Sequence, residues 1–200
     1  MVSERVDKLL ANQEVINTST VKFLESIRNF YAQHKEITGR QEEALIKIEN
    51  RFSVVAVKKR EEWEAAYDDE KRRIAKICAE YYQCQGHYFA DLASAIVADP
   101  GFIPTEKQYR ALCENRYAKK VIESAEAKPK YPIGSFVAAR AVCPHIVRVA
   151  LLGGKAAMVI ESDCAPIVSA ARGSKQYKIL PIGSSQAIEV EERFIKRARI

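Results

Sequence analysis

The stretch AEAKPKYPIGS, residues 125–135, separates two kinds of sequence pattern. Before it, apolar residues recur every three or four positions, as one face of a helix requires. After it, short β-branched runs are punctuated by glycine, the pattern of short strands and turns. Pro129 and Pro132 end any helix entering the stretch, because proline has no amide hydrogen to donate and its ring clashes with the preceding turn. No single periodicity crosses this point, so the expected class is α+β: an all-α region over 1–126 followed by a small β domain over 131–200. A chain of 200 residues that is 48% hydrophobic has enough apolar surface to give each part a core.

About six helices are expected upstream. They cover about 4–15, 20–34, 38–52, 58–82 and 87–98, with the last running from Thr105 to the proline stretch. The fourth, KKREEWEAAYDDEKRRIAKICAEYY, carries blocks of opposite charge that pair at i to i+4, so its charged face reads as solvated. Two segments match at identical offsets, TGRQEEAL from Thr38 and TEKQYRAL from Thr105, which points to two related helical hairpins. Threonine followed three residues later by glutamine is also a capping box, and Ile37 and Ile103 lie where an apolar residue staples the chain to the first turn.

Downstream, SFVAARAV, HIVRVALL, KAAMVIES, KQYKILPI and QAIEVEE read as five short strands, with ERFIKRARI as a last turn or strand. Gly153-Gly154 and Gly183-Ser184-Ser185 supply two hairpin turns. Five short strands protect their edges best by closing on themselves, so a small barrel is expected. The stretches YPIGSFVAAR, LLGGKAAMVIE and KQYKILPIGSSQAIEVEERFIKR resemble SH3-like barrels of the KOW and Tudor type. That resemblance covers about a third of the chain and implies a binding module without specifying its ligand. The helical segment TEKQYRALCENRYAKK is similar to segments of small uncharacterised proteins encoded by tailed bacteriophages.

The formal charge of +6 is unevenly placed. Residues 1–127 carry 20 lysines and arginines against 21 acids, whereas 128–200 carry 12 against 5. A basic third of a chain suits a polyanion. The expected nucleic-acid contacts are Arg140, Arg148, Lys155, Arg172, Lys175 and Lys178, with Tyr177 stacking on a base of a single strand. Lys107, Arg110 and Arg116 on the helix after Thr105 are secondary candidates.

Catalytic signatures are weak. The chain has no G-x-x-x-x-G-K-[ST], G-x-G-x-x-G or H-E-x-x-H pattern. Cys84 with His87, and Cys143 with His145, pair soft ligands at short spacing, but structural zinc wants four ligands in tetrahedral reach. Neither pair shows an orienting acid and oxyanion hole for thiol catalysis. Five widely spread cysteines, an odd number, read as free thiols of a reducing compartment. No apolar run approaches the roughly 20 residues of a membrane helix, and no signal-peptide core opens the chain, so a cytoplasmic protein is expected, in the host cytoplasm if phage-encoded. The reading that follows is a non-catalytic protein without cofactor or metal that binds RNA or DNA through backbone contacts. A phage adaptor docking on a host protein is the alternative, and a zinc-dependent or thiol enzyme ranks below both.

Overall fold

The computed structural model describes residues 1–11, 17–151 and 155–198. The chain divides into two compact units, Met1–Ala66 and Tyr67–Ile200. Helices give way to strands after residue 126, so the boundary between the units does not coincide with the change of secondary structure.

The first unit contains α1 (Val2–Leu10), α2 (Thr18–His34), α3 (Gly39–Arg51) and α4 (Val54–Ala66). Val6, Leu9, Leu24, Ile27 and Leu45 form its buried core, with Ile37 and Phe52 packed against it. The capping box at Thr38 is formed: the Thr38 N–H donates to Gln41 Oε1 at 2.9 Å, and the Gln41 N–H donates to Thr38 Oγ1 at 3.2 Å. Arg5 clamps α1 to α3, its guanidinium donating to both carboxylate oxygens of Glu49 at 2.7 and 2.8 Å and to Glu42 at 2.8 Å. The hydrogen bonds from Arg5 hold the Glu49 carboxyl below its ordinary range. A depressed carboxylate stabilises the fold above its unfolded pKa and loses that contribution as pH falls through the folded value. The partly exposed clamp is worth about 1 kcal/mol. Arg5→Ala should therefore lower the denaturation midpoint of this unit at neutral pH and leave it nearly unchanged near pH 2, as urea titrations at the two pH values will read.

The second unit opens with α5 (Asp69–Gln85), α6 (Ala90–Ala98), α7 (Glu106–Cys113) and α8 (Arg116–Glu126). Two helices expected to be continuous are broken. The helix expected over 58–82 ends at Ala66 and restarts behind Asp68, whose carboxylate accepts the Lys71 N–H at 2.8 Å. The helix from Thr105 ends at Cys113 and restarts behind Asn115, whose Oδ1 accepts the Tyr117 and Ala118 N–H groups at 2.9 and 3.0 Å. Both breaks have one cause: a short polar side chain inside a helical pattern hydrogen-bonds nearby backbone and caps a new helix. The second capping box, Thr105 with Gln108, is also formed.

After the prolines come β1 (Phe136–Ala139), α9 (His145–Ala150), β2 (Ala157–Ser162), β3 (Gln176–Pro181), β4 (Ile188–Glu191), a 3₁₀ turn Glu192–Phe194 and β5 (Ile195–Arg197). HIVRVA, within the expected strand HIVRVALL, is thus a helix. Cys143, Val147 and Leu151 are buried at spacings of four while Ile146 and Val149 face out, so a helical burial period overrides β-branched propensity. The Gly153-Gly154 turn lies outside the described residues. At the other expected turn, Gly183 has φ +83, which a two-strand connection of this kind uses glycine to reach.

The sheet is antiparallel throughout, in the order β4-β3-β2-β1-β5. It is not the closed barrel expected from the sequence, since β4 and β5 are its two edges. The edge strands have four and three residues, and β1 pairs with β2 over only two register positions, too little ladder for the stagger that closure needs. Val137, Val159, Tyr177, Ile179, Val190 and Ile195 make the core of this sheet, together with Val147 and Leu151 from α9 and its end.

The sheet and the preceding helices are tied by hydrogen bonds within the unit. Ser124 Oγ on α8 donates to the Ala171 carbonyl at 3.1 Å, and Gln85 Nε2 on α5 donates to the Val168 carbonyl at 2.9 Å.

Candidate nucleic-acid interface

The seven β-domain candidates fall into three groups. Tyr177 is fully buried, its ring edge-on to Tyr131 with centroids 5.9 Å apart. Its hydroxyl donates to Glu192 Oε2 at 2.9 Å and accepts the Tyr131 N–H at 3.3 Å. A base cannot stack on it, and the expectation of a stacking platform there is corrected: alternate residues of β3 point inward, and Tyr177 lies in register with Val190 on the core side.

Lys175 is also buried. Its side chain is 4% exposed, and its ammonium donates to Asp163 at 2.6 Å and to the Ala125 carbonyl at 3.1 Å. The charge is spent inside the protein, so its expected role as a free phosphate contact is corrected as well. Asp163 reaches it from a left-handed backbone conformation, φ +57.

The remaining candidates are accessible. Arg140 and Arg148 are exposed but directed to backbone, Arg140 Nε donating to the Ile195 carbonyl and Arg148 Nη2 to the Ala141 carbonyl, each at 2.7 Å. Lys155 and Arg172 are exposed and Lys178 is half-buried. Among the secondary candidates, Lys107 is exposed, Arg110 pairs with Glu106 at 2.6 Å, and Arg116 lies over the Tyr117 ring at 4.6 Å.

What brings basic residues together is a pocket of about 660 Å³ between α8 and the strand-linking segments. Lys120, Glu123, Ser124 and Ala127 form one wall, Lys128 and Lys130 follow in the proline stretch, and Arg172, Gly173, Lys175 and Glu192 close the other side. Five cations meet two carboxylates here. Glu192 is engaged already, accepting from the Tyr177 hydroxyl and from the Lys130 N–H at 3.1 Å. Lys120, Lys128, Lys130 and Arg172 are exposed, and among the described residues none forms an ion pair with a carboxylate.

The loop that presents Arg172 is built tightly. Gly173 has φ +74, and a Cβ there would meet Arg193 Cβ at 3.3 Å. The Arg193 N–H donates to the Gly173 carbonyl at 2.8 Å, which fastens the loop to the 3₁₀ turn. Cationic side chains around a concave surface of this size can hold phosphate groups by charge-assisted hydrogen bonds.

Sequence reasoning therefore found Arg172 and missed Lys120, Lys128 and Lys130. The signal was present in AKPK, where two lysines flank Pro129, but the prolines were read only as a boundary. Lys120 shares a side of α8 with Ser124, a placement that shows only once the helix is packed against the sheet segments.

Cys78 and Cys113 are buried, and a hydrogen bond with Cys78 and burial together push the Cys113 thiol far up. Cys143 is a core residue, while Cys84 is exposed. Among the described residues no three His, Cys, Asp or Glu side chains cluster closely enough to share a metal ion. No helix among them is long and apolar enough to cross a membrane. Comparison with known protein families, curated proteins and solved structures finds no match to this chain.

Proposed function

We propose that the chain is a non-catalytic nucleic-acid-binding protein whose phosphate contacts are centred on the pocket between α8 and the sheet. The single observation that carries this reading is the convergence of Lys120, Lys128, Lys130 and Arg172, exposed and without carboxylate partners among the described residues, on one cavity of about 660 Å³. An SH3-like identity for the sheet belongs to the same proposal. Its support is the order β4-β3-β2-β1-β5 with a 3₁₀ turn linking the last two strands.

Binding of this kind releases counterions. If four cations each neutralise one phosphate, log K should fall with log salt at a slope of about −3 for a single strand. The paired change Lys128→Glu with Arg172→Glu should cost about 10-fold or more at low salt and roughly halve the slope, without sequence preference. Fluorescence anisotropy of labelled oligonucleotides across a salt series measures both quantities. Salt-independent binding, or no binding at low salt, would overturn the proposal.

A further inference from the structure

A second pocket, of about 390 Å³, opens beside the N-terminal end of α8, and five of its lining side chains are aromatic: Tyr81, Tyr82, Tyr88, Phe89 and Tyr117. The rings are set at angles to one another. Tyr82 meets Tyr81 at 4.9 Å and 66°, and meets Phe89 at 4.9 Å and 71°. Asn115 Nδ2 donates to the Tyr82 hydroxyl at 2.8 Å, so the central ring is held from both ends.

Phe89 enters the pocket from a left-handed backbone conformation, φ +57, in the position that precedes α6, where its side chain supplies no cap. A bulky residue in that region is strained, and such residues cluster at binding and catalytic sites. Tyr88 is 72% exposed and Tyr117 46%, so apolar ring surface stands open to solvent around the mouth.

We propose that this pocket takes an unstacked nucleobase, which makes the preferred ligand single-stranded rather than duplex nucleic acid. The inference rests on the nucleic-acid reading of the basic pocket. Three observations favour a base over an organic cation. The lining contains no carboxylate, and its polar members Gln85 and Asn115 are neutral. The Arg116 guanidinium already lies over Tyr117, where it repels a second cation and attracts a phosphate. Both pockets also have a wall on α8, where Tyr117 of this one and Lys120 and Ser124 of the basic one recur at i, i+3 and i+7 on one side of the helix. Tyr117 and Ser124 are about 10 Å apart along its axis, roughly three phosphate spacings of a stacked strand. A strand can therefore lay phosphates against the lysines while a base from the same strand leaves the stack for the aromatic rings.

The test is fluorescence anisotropy with the full chain, using an oligothymidylate single strand, the same strand paired in a duplex, and an abasic strand of equal length. Single-strand binding should exceed duplex and abasic binding. Tyr88→Ala and Tyr117→Ala should each weaken single-strand binding about tenfold while leaving the salt slope unchanged, and Tyr88→Phe and Tyr117→Phe should restore it. Equal affinity for the three probes, with the tyrosine variants unchanged, overturns this inference and leaves the basic pocket standing. Saturable binding of tetramethylammonium that Tyr88→Ala abolishes also overturns it, in favour of a cation site. Absence of binding to every strand overturns this inference together with the function it deepens.

Discussion

Lys175→Glu is expected to unfold the second unit rather than to weaken a surface contact. The ammonium lies in a site where its side chain is 4% exposed, with Asp163 at 2.6 Å and the Ala125 carbonyl at 3.1 Å. Glutamate would place a second carboxylate, itself buried, beside the first and beside a carbonyl in the last turn of α8, with no side-chain donor in place of the ammonium. Breaking a buried pair in this way costs about 3–5 kcal/mol, a large share of the roughly 5–15 kcal/mol that holds a domain together. Lys175→Met should be milder, about 1–3 kcal/mol, because Asp163 is half exposed and can rehydrate. Urea denaturation followed by circular dichroism separates the two variants. An unchanged midpoint for Lys175→Glu would show that the pair does not hold α8 to the sheet. Loss of nucleic-acid binding in that variant, taken alone, would say nothing about phosphate contact.

Tyr177→Ala should be comparably severe. The phenol is fully buried among Val137, Val159, Ile179 and Val190, and truncating a large core side chain costs about 3–5 kcal/mol. Tyr177→Phe keeps the ring and removes only the hydroxyl, leaving the Tyr131 N–H without its acceptor and Glu192 with the Lys130 N–H but not the phenol as donor. That change should cost about 1–2 kcal/mol and leave oligonucleotide affinity unaltered, which distinguishes a structural tyrosine from a stacking one.

Wild type and Tyr177→Phe also differ in pH dependence. Burial, with the neighbouring Glu192 carboxylate, pushes the Tyr177 hydroxyl up to about 12, against about 10 in the unfolded chain. The folded state then holds the proton more tightly, so this contribution is complete below about pH 10 and is lost as pH rises toward about 12. Wild type should lose stability over that interval relative to Tyr177→Phe, as midpoints measured from pH 9 to 12 will read.

The helix starts at Thr38 and Thr105 were legible because a capping box is local chemistry: threonine and glutamine three apart satisfy each other's backbone amides whatever surrounds them. The same local chemistry at Asp68 and Asn115 was present in the sequence and outweighed by the apolar periodicity running through it. The stop at Pro129 and Pro132 and the strand runs in KAAMVIES, KQYKILPI and QAIEVEE were legible for the same reason, since a missing amide hydrogen and a period of two act within a few residues. HIVRVALL was not, because its β-branched residues suit a strand, and only the burial of Cys143, Val147 and Leu151 on a common core selects the helix.

The candidate site divides along the same line. Sequence by itself determined that the basic excess lies after residue 127 and that no familiar nucleotide or metallopeptidase motif accompanies it. Which lysines are spent and which are free was decided by tertiary structure alone. Lys175 and Lys178 are three residues apart and look equivalent as letters, yet one is sealed against Asp163 and the other is half-buried on β3. Lys120 and Arg172 are 52 positions apart and line one pocket. Charge is a property of a residue, whereas the free energy of that charge depends on water, partners and distance, and the chain acquires those only on folding.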